Sequence, residues 1–61
     1  MTAEEAKKHA EMVVYVNYTW PDIIDACERH GIETTTKSGR YRSRRVLEQK
    51  LIEALTAEFQ K

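Results

Sequence analysis

The stretch 31–45 divides this chain into two parts, because it lacks the hydrophobic periodicity that is found on both sides of it. It holds five of the ten basic residues, and no acidic residue lies between Glu33 and Glu48. Long loops in small domains are uncommon and are usually either functional or disordered. We therefore interpret the stretch as a basic loop that two helices present to a phosphate-bearing partner. Its cations are Lys37, Arg40, Arg42, Arg44 and Arg45.

The length of the chain limits the kinds of site it can build. Sixty-one residues make one small domain, near the lower limit at which a single hydrophobic core folds unaided. Few residues are left for the walls of a cleft, so we expect neither an enzyme active site within one copy nor a cofactor. The formal net charge is zero, so an electrostatic function has to depend on the segregation of charge rather than on its total.

The cysteine and histidine content excludes some site classes and indicates a compartment. Cys27 is the sole cysteine, so no intramolecular disulfide can form, which suits a reducing compartment. Cys27 and His30 are one helical turn apart, but zinc needs further ligands at suitable spacing and only His9 remains, so we expect no metal. The charged N-terminus is unlike a secretory signal, and no run reaches the roughly 20 apolar residues of a membrane span. We expect a cytoplasmic protein that does not bind a membrane. Association with a nucleoid, or a nuclear location, is the alternative.

Two helices are predicted before the basic loop. Thr2 and Glu5 have capping-box spacing, and an apolar stripe at intervals of three and four follows, which predicts a first helix over 3–15. Residues 12–18 are rich in β-branched and aromatic residues that favour strands, so their state as helix end or strand stays open. The stripe comprises Ala3, Ala6, Ala10, Val13 and Val14.

The second helix has clear start and stop signals and is predicted over 20–30. Thr19 is suited to the cap, Pro21 to the first turn, and Asp22 to the positive end of the helix dipole. Gly31 can supply the left-handed conformation that is common just past a helix end. We expect inward-facing side chains at Ile23, Ile24 and Cys27, with Ile32 folding back onto the core.

A third helix is predicted over 44–59, after a basic loop that covers 31–43. Ser43 can cap it, and a leucine repeat every four residues defines its apolar face. The fold class is therefore all-α: a small three-helix domain of helix, turn, helix, extended loop and helix. The apolar face comprises Leu47, Leu51, Leu55 and Phe59, widened by Val46, Ile52 and Ala54. We interpret Tyr15, Tyr18, Trp20 and Cys27 as core residues, and His30 as a helix-end cation near the last carbonyls.

The start of the third helix is the main indication of which residues bind a partner. Arg44 and Arg45 occupy a first turn in which the helix dipole disfavours cations, so their placement indicates a site for an anion. Gly39 would let a phosphate approach the backbone, and Tyr41 could pack on a sugar or an exposed base. The alternative is a charged loop that is solvated and has no binding function. The full predicted set is Lys37, Ser38, Gly39, Arg40, Tyr41, Arg42, Ser43, Arg44 and Arg45.

The segment 19–55 resembles the helix-extended-loop-helix group that includes SAP domains and LEM-like modules. Several positions carry the resemblance: Ile23, Ile24 and Cys27, then Gly31-Ile32, Gly39-Arg40, and Leu47, Leu51 and Leu55. It implies a small all-α module whose loop and second helix start grip the DNA backbone, often preferring shape or A·T-rich sequence. It would place those contacts at Lys37, Gly39, Arg40, Arg42, Arg44 and Arg45, with Thr19 and Trp20 as contributors.

Competing functional hypotheses remain open from the residues alone. The first is a double-stranded DNA-binding module with limited sequence specificity, for which a monomer is favoured over a homodimer. The second is a protein-interaction domain or small inhibitor that docks its basic loop on an acidic partner. A variant of the first pairs 12–18 as a strand in a ribbon-helix-helix dimer, although that family joins its helices by a tight turn and the stretch 31–43 is too long for one.

Overall fold

The computed structural model describes residues 2–60 and contains three α-helices, without a named strand in that range. The first helix, α1, is Ala3–Met12 and continues into a π-helical turn at Val13–Asn17. The second, α2, is Trp20–Arg29, and the third, α3, is Arg44–Phe59. The predicted all-α, three-helix class is confirmed, and both bounds of α3 agree with those predicted.

The π-helical turn settles the state of the segment that follows α1. Residues 13–17 are helical, so the strand alternative and the ribbon-helix-helix variant built on it are wrong. A π turn holds one more residue than an α turn, so it shifts the phase of the apolar stripe. Ala6, Ala10 and Val14 are fully buried, and Tyr18 packs against the core after the turn.

Both ends of α2 are closed by hydrogen bonds that local sequence dictates. The Asp22 carboxylate accepts from the backbone amide of Thr19 at 3.1 Å and from its hydroxyl at 2.9 Å. At the other end Gly31 has φ +73°, and its amide donates to the Glu28 carbonyl at 3.1 Å. The amide of Ile32 donates to the Cys27 carbonyl at 2.8 Å, which completes a Schellman motif and turns Ile32 back onto the core, as predicted.

The apolar face of α3 is the centre of the core, because α1, the π turn and α2 all pack against α3. Leu47 and Leu51 are fully buried, and Leu55 and Ile52 nearly so. From α2, Ile23 and Cys27 are fully buried in the same cluster. The core is small, since three of its members are alanines: Ala6, Ala10 and Ala26.

Three predicted core positions are wrong. Tyr15 is 53% exposed, because it follows the buried Val14 by one residue and therefore points away from α3. Val46 is 40% exposed, since it lies one position before Leu47, at the edge of the leucine stripe. Ala3 is exposed in the first turn of α1. Among residues 2–60, no helix is long and apolar enough to cross a membrane.

Replacing Leu51 tests the core. We expect Leu51→Ala to lower the free energy of unfolding by about 2–5 kcal/mol, because it leaves a cavity in the fully buried face of α3. Such a loss is comparable with the whole stability of a domain of this size. Urea unfolding followed by circular dichroism measures the change, with Val46→Ala as the matched surface control. Equal losses in the two variants would contradict the core described above.

Acidification tests the cap of α2. The two bonds from Thr19, the backbone amide first and then the hydroxyl, lower the pKa of Asp22 below its ordinary value of 3.8. A carboxylate with a depressed pKa stabilises the fold above its unfolded-state pKa, and this contribution is lost as the pH falls through the folded-state pKa. We therefore expect Asp22→Asn to lose less stability than wild type when acidified below 3.8. Urea unfolding at a series of pH values measures this difference, with Glu28→Gln as the control. An identical response of wild type and Asp22→Asn to acid would contradict the role of Asp22 in the cap.

Candidate nucleic-acid interface

The basic segment is more ordered than the extended loop expected from sequence, because residues 34–42 form a short hairpin. The amide of Arg42 donates to the Thr34 carbonyl at 2.8 Å, and the amide of Thr36 donates to the Arg40 carbonyl at 2.8 Å. Between these two pairs Thr35 and Tyr41 form an antiparallel β-bridge. The physical reason is the run of three β-branched threonines, which favours extended backbone and supplies one side of the hairpin.

The tip of the hairpin is a tight turn that depends on Gly39. The amide of Gly39 donates to the Thr36 carbonyl at 3.0 Å, and Gly39 has φ +85°. This is the pattern of a three-residue hairpin loop, in which a turn ends in a left-handed residue. The hydroxyls of Thr36 and Ser38 lie 2.9 Å apart and share a hydrogen bond across the turn. Ser38 is therefore engaged within the tip, while Lys37 extends from it into solvent.

An aromatic contact attaches the hairpin to the helices. The rings of Tyr41 and Trp20 meet edge to face, with centroids 5.9 Å apart and an interplanar angle of 82°. Trp20 packs against the core in the first turn of α2, whereas Tyr41 stays 59% exposed. Trp20, which was predicted to be a core residue, is therefore only partly buried. Tyr41 contacts its ring from the hairpin.

Arg42 lies in the base of the hairpin and has an internal partner. One of its terminal nitrogens lies 3.3 Å from Oε2 of Glu33, and its side chain is 34% exposed. Its Nε is buried and has no hydrogen-bond partner within residues 2–60. Together with Lys50 and Ala54 of α3, Arg42 lines an open groove beside Ile32. This placement gives Arg42 a structural contact that the other predicted cations of the hairpin lack.

The N-terminus of α3 is capped as predicted and adjoins the hairpin. The amide of Val46 donates to the Ser43 hydroxyl at 3.4 Å, and the amide of Leu47 donates to the Ser43 carbonyl at 3.1 Å. Within the described chain, the backbone amides of Arg44 and Arg45 have no acceptor. The Nε of Arg44 lies 3.3 Å from Oε2 of Glu48, four residues along the helix.

Charge is segregated in this part of the molecule. The stretch 33–48 carries five cations and two acids, a net charge of +3, so the rest of the neutral chain carries −3. Both acids are already paired, Glu33 with Arg42 and Glu48 with Arg44. Among residues 2–60, no carboxylate partner lies within 4 Å of the three remaining cations. These are Lys37, Arg40 and Arg45, and all three are exposed.

The remaining polar candidates have structural surroundings. Cys27 is fully buried as expected, its Sγ lies 3.9 Å from the Leu47 carbonyl, and burial raises the pKa of its thiol. His30 ends α2, but its Nε2 lies 3.7 Å from Oε2 of Glu58 on α3, an interhelical contact that was not predicted. His9 packs edge-on against Phe59. No cluster of three potential metal-binding side chains occurs among the described residues.

Sequence reasoning missed the two acids that divide the cations into paired and unpaired groups. The pair of Arg44 with Glu48 was detectable, because residues four apart lie on the same side of a helix. The pair of Arg42 with Glu33 was not, because it depends on the register of the hairpin.

Comparisons of this chain with protein-family models, with curated proteins and with solved structures find no match.

Replacing Gly39 tests the hairpin turn. A β-carbon at Gly39 would meet no atom within 4 Å, so any effect of Gly39→Ala comes from its positive φ. We expect a loss of about 1 kcal/mol, because the left-handed conformation is strained for alanine. Amide hydrogen exchange measures it locally: Thr36 and Arg42 should exchange faster, while the amides of α3 change little. Lys37→Ala in the same turn is the control, and equal effects in the two variants would contradict this role of Gly39.

Proposed function

We propose that this chain is a small DNA-binding module that grips the phosphate backbone with its hairpin and the N-terminus of α3. The observation that carries the proposal is the division of charge within the stretch 33–48. Two acids neutralise Arg42 and Arg44, and three exposed cations are left without a carboxylate partner in the described chain. These three, Lys37, Arg40 and Arg45, form the core of the proposed phosphate site.

Each part of the surface would have a distinct role. Lys37 and Arg40 at the hairpin tip would contact one set of phosphates, and Arg45 with the amides at the start of α3 would contact another. The planar fork of arginine allows a bidentate grip on a phosphate. Arg42 would act as a positioning residue that holds the base of the hairpin, since its side chain already contacts Glu33.

Sequence specificity is expected to be low. Within the described residues, the cations lie on a short hairpin and on the first turn of one helix, and no basic helix is available to enter the major groove. Contacts to phosphates would therefore outnumber contacts to base edges. The order of α2, basic segment and α3 supports the resemblance to SAP and LEM-like modules, which we keep as part of this proposal, with a monomer as the binding unit.

A second candidate function is docking on an acidic protein. The three exposed cations Lys37, Arg40 and Arg45 have no carboxylate partner among the described residues, so carboxylates of an acidic protein could pair with them. The end of α1 and the π turn also expose apolar side chains, with Met12 62% and Val16 74% exposed. A protein partner could use both surfaces, whereas a phosphate backbone would use only the basic one.

A salt titration tests the proposal. We expect the logarithm of the affinity for a labelled duplex to fall linearly with the logarithm of salt concentration, with a slope of roughly −3 to −5. The double variant Arg40→Ala with Arg45→Ala should weaken binding at low salt and make the slope shallower by roughly 2, because two phosphate contacts are lost. Fluorescence anisotropy measures both quantities.

The matched control removes the same charge elsewhere. Lys7 and Lys8 are exposed cations on α1, so Lys7→Ala with Lys8→Ala should leave the slope almost unchanged. If the two double variants behave alike, the effect comes from net charge and the proposed site is wrong. If the folded wild type binds no duplex at low salt, the DNA proposal fails and the acidic protein partner becomes the leading function.

A further inference from the structure

Tyr41 is an exposed aromatic residue that is nevertheless held in place. Its side chain is 59% exposed, although its backbone pairs with Thr35 across the hairpin. Its ring rests edge to face on Trp20, which is itself packed against the core. An aromatic ring that only sealed the core would be buried, so the fold presents this ring to solvent in a defined position.

The chain on both sides of Tyr41 is positively charged. Arg40 precedes it at the hairpin tip, and Arg44 and Arg45 follow it within the first turn of α3. Asp22 is the acidic residue closest to Trp20 in the sequence. Its carboxylate is hydrogen-bonded to Thr19, and Asp22 lines a groove together with Asp25, Ala26 and Arg29 of α2. Along the chain, the exposed ring therefore stands between two cations that have no carboxylate partner among residues 2–60, Arg40 and Arg45.

A second exposed tyrosine provides a contrast. Tyr15 is 53% exposed, a fraction close to that of Tyr41. It shares its groove with Lys7, Glu11 and Glu53, so its surroundings carry charges of both signs. Exposure of an aromatic ring is thus common to both sites, and the cationic flanks are specific to Tyr41.

We propose that Tyr41 is a stacking platform for an unpaired base, so that the site takes single-stranded nucleic acid in addition to duplex. This inference rests on the proposed phosphate-binding function and adds a ligand class to it. A base within a duplex has both faces covered by its neighbours, whereas an unpaired base can place one face on an aromatic ring. Cations on each side of the ring would hold the phosphates that flank the stacked nucleotide.

Binding of an oligodeoxythymidine strand, compared with binding of the duplex, tests the inference. We expect Tyr41→Leu to lower the affinity for the single strand on the order of tenfold, because the stacked ring is lost. Leucine keeps an apolar contact with Trp20, so the loss of duplex affinity should be clearly smaller than the loss of single-strand affinity. Tyr41→Phe, which keeps the ring, and Tyr15→Leu, which removes the other exposed ring, should both bind the single strand as wild type does.

The outcomes separate this inference from the proposed function. An equal loss on both ligands would show that Tyr41 only supports the hairpin, and an unchanged single-strand affinity would show that it does not stack; either overturns the inference. Salt-dependent duplex binding by a wild type that does not bind the single strand would also overturn it, while leaving the proposed function intact. Binding of neither ligand by a protein that circular dichroism shows to be folded would overturn both.

Discussion

Burial of the leucine face of α3 holds the three helices together. Leu47, Leu51 and Leu55 meet small residues of α1 and larger ones of α2, such as Ile23. The alanines of α1 let that helix approach α3 closely, at the expense of apolar area per residue. A core of this size leaves little surplus stability. The hairpin is ordered by its own backbone bonds, by the pair of Arg42 with Glu33 and by the contact of Tyr41 with Trp20.

The same helix joins the core to the charged surface. Ser43 begins α3 immediately after the hairpin, so the position of Arg44 and Arg45 is set by the leucines one and two turns later. The Schellman motif at Gly31 sets the direction in which the chain leaves α2 and enters the hairpin. Two turns with positive φ, at Gly31 and Gly39, thus determine where the cations lie, although neither glycine needs to contact a ligand.

Most of the helical plan was predictable because it depends on local signals. Ser43 and the leucine spacing located α3, and Gly31 located the end of α2. The hairpin could not be derived with the same certainty, because its pairs join residues on opposite strands and a one-residue slip would change them all. The threonine run and Gly39 were available as local signals. Predicting the pair of Arg42 with Glu33 would have required that register, and the edge-to-face contact of Tyr41 with Trp20 would have required tertiary packing.

The π-helical turn at Val13–Asn17 has a consequence for how this chain can vary in length. A π turn accommodates one extra residue without displacing the helix that precedes it or the segment that follows. A chain shorter by one residue here could close the turn as ordinary α-helix and still deliver Tyr18 to the core. The turn therefore allows the segment between the alanine face of α1 and the start of α2 to vary in length by one residue. Related chains are expected to differ by a single insertion or deletion at this point rather than within α3.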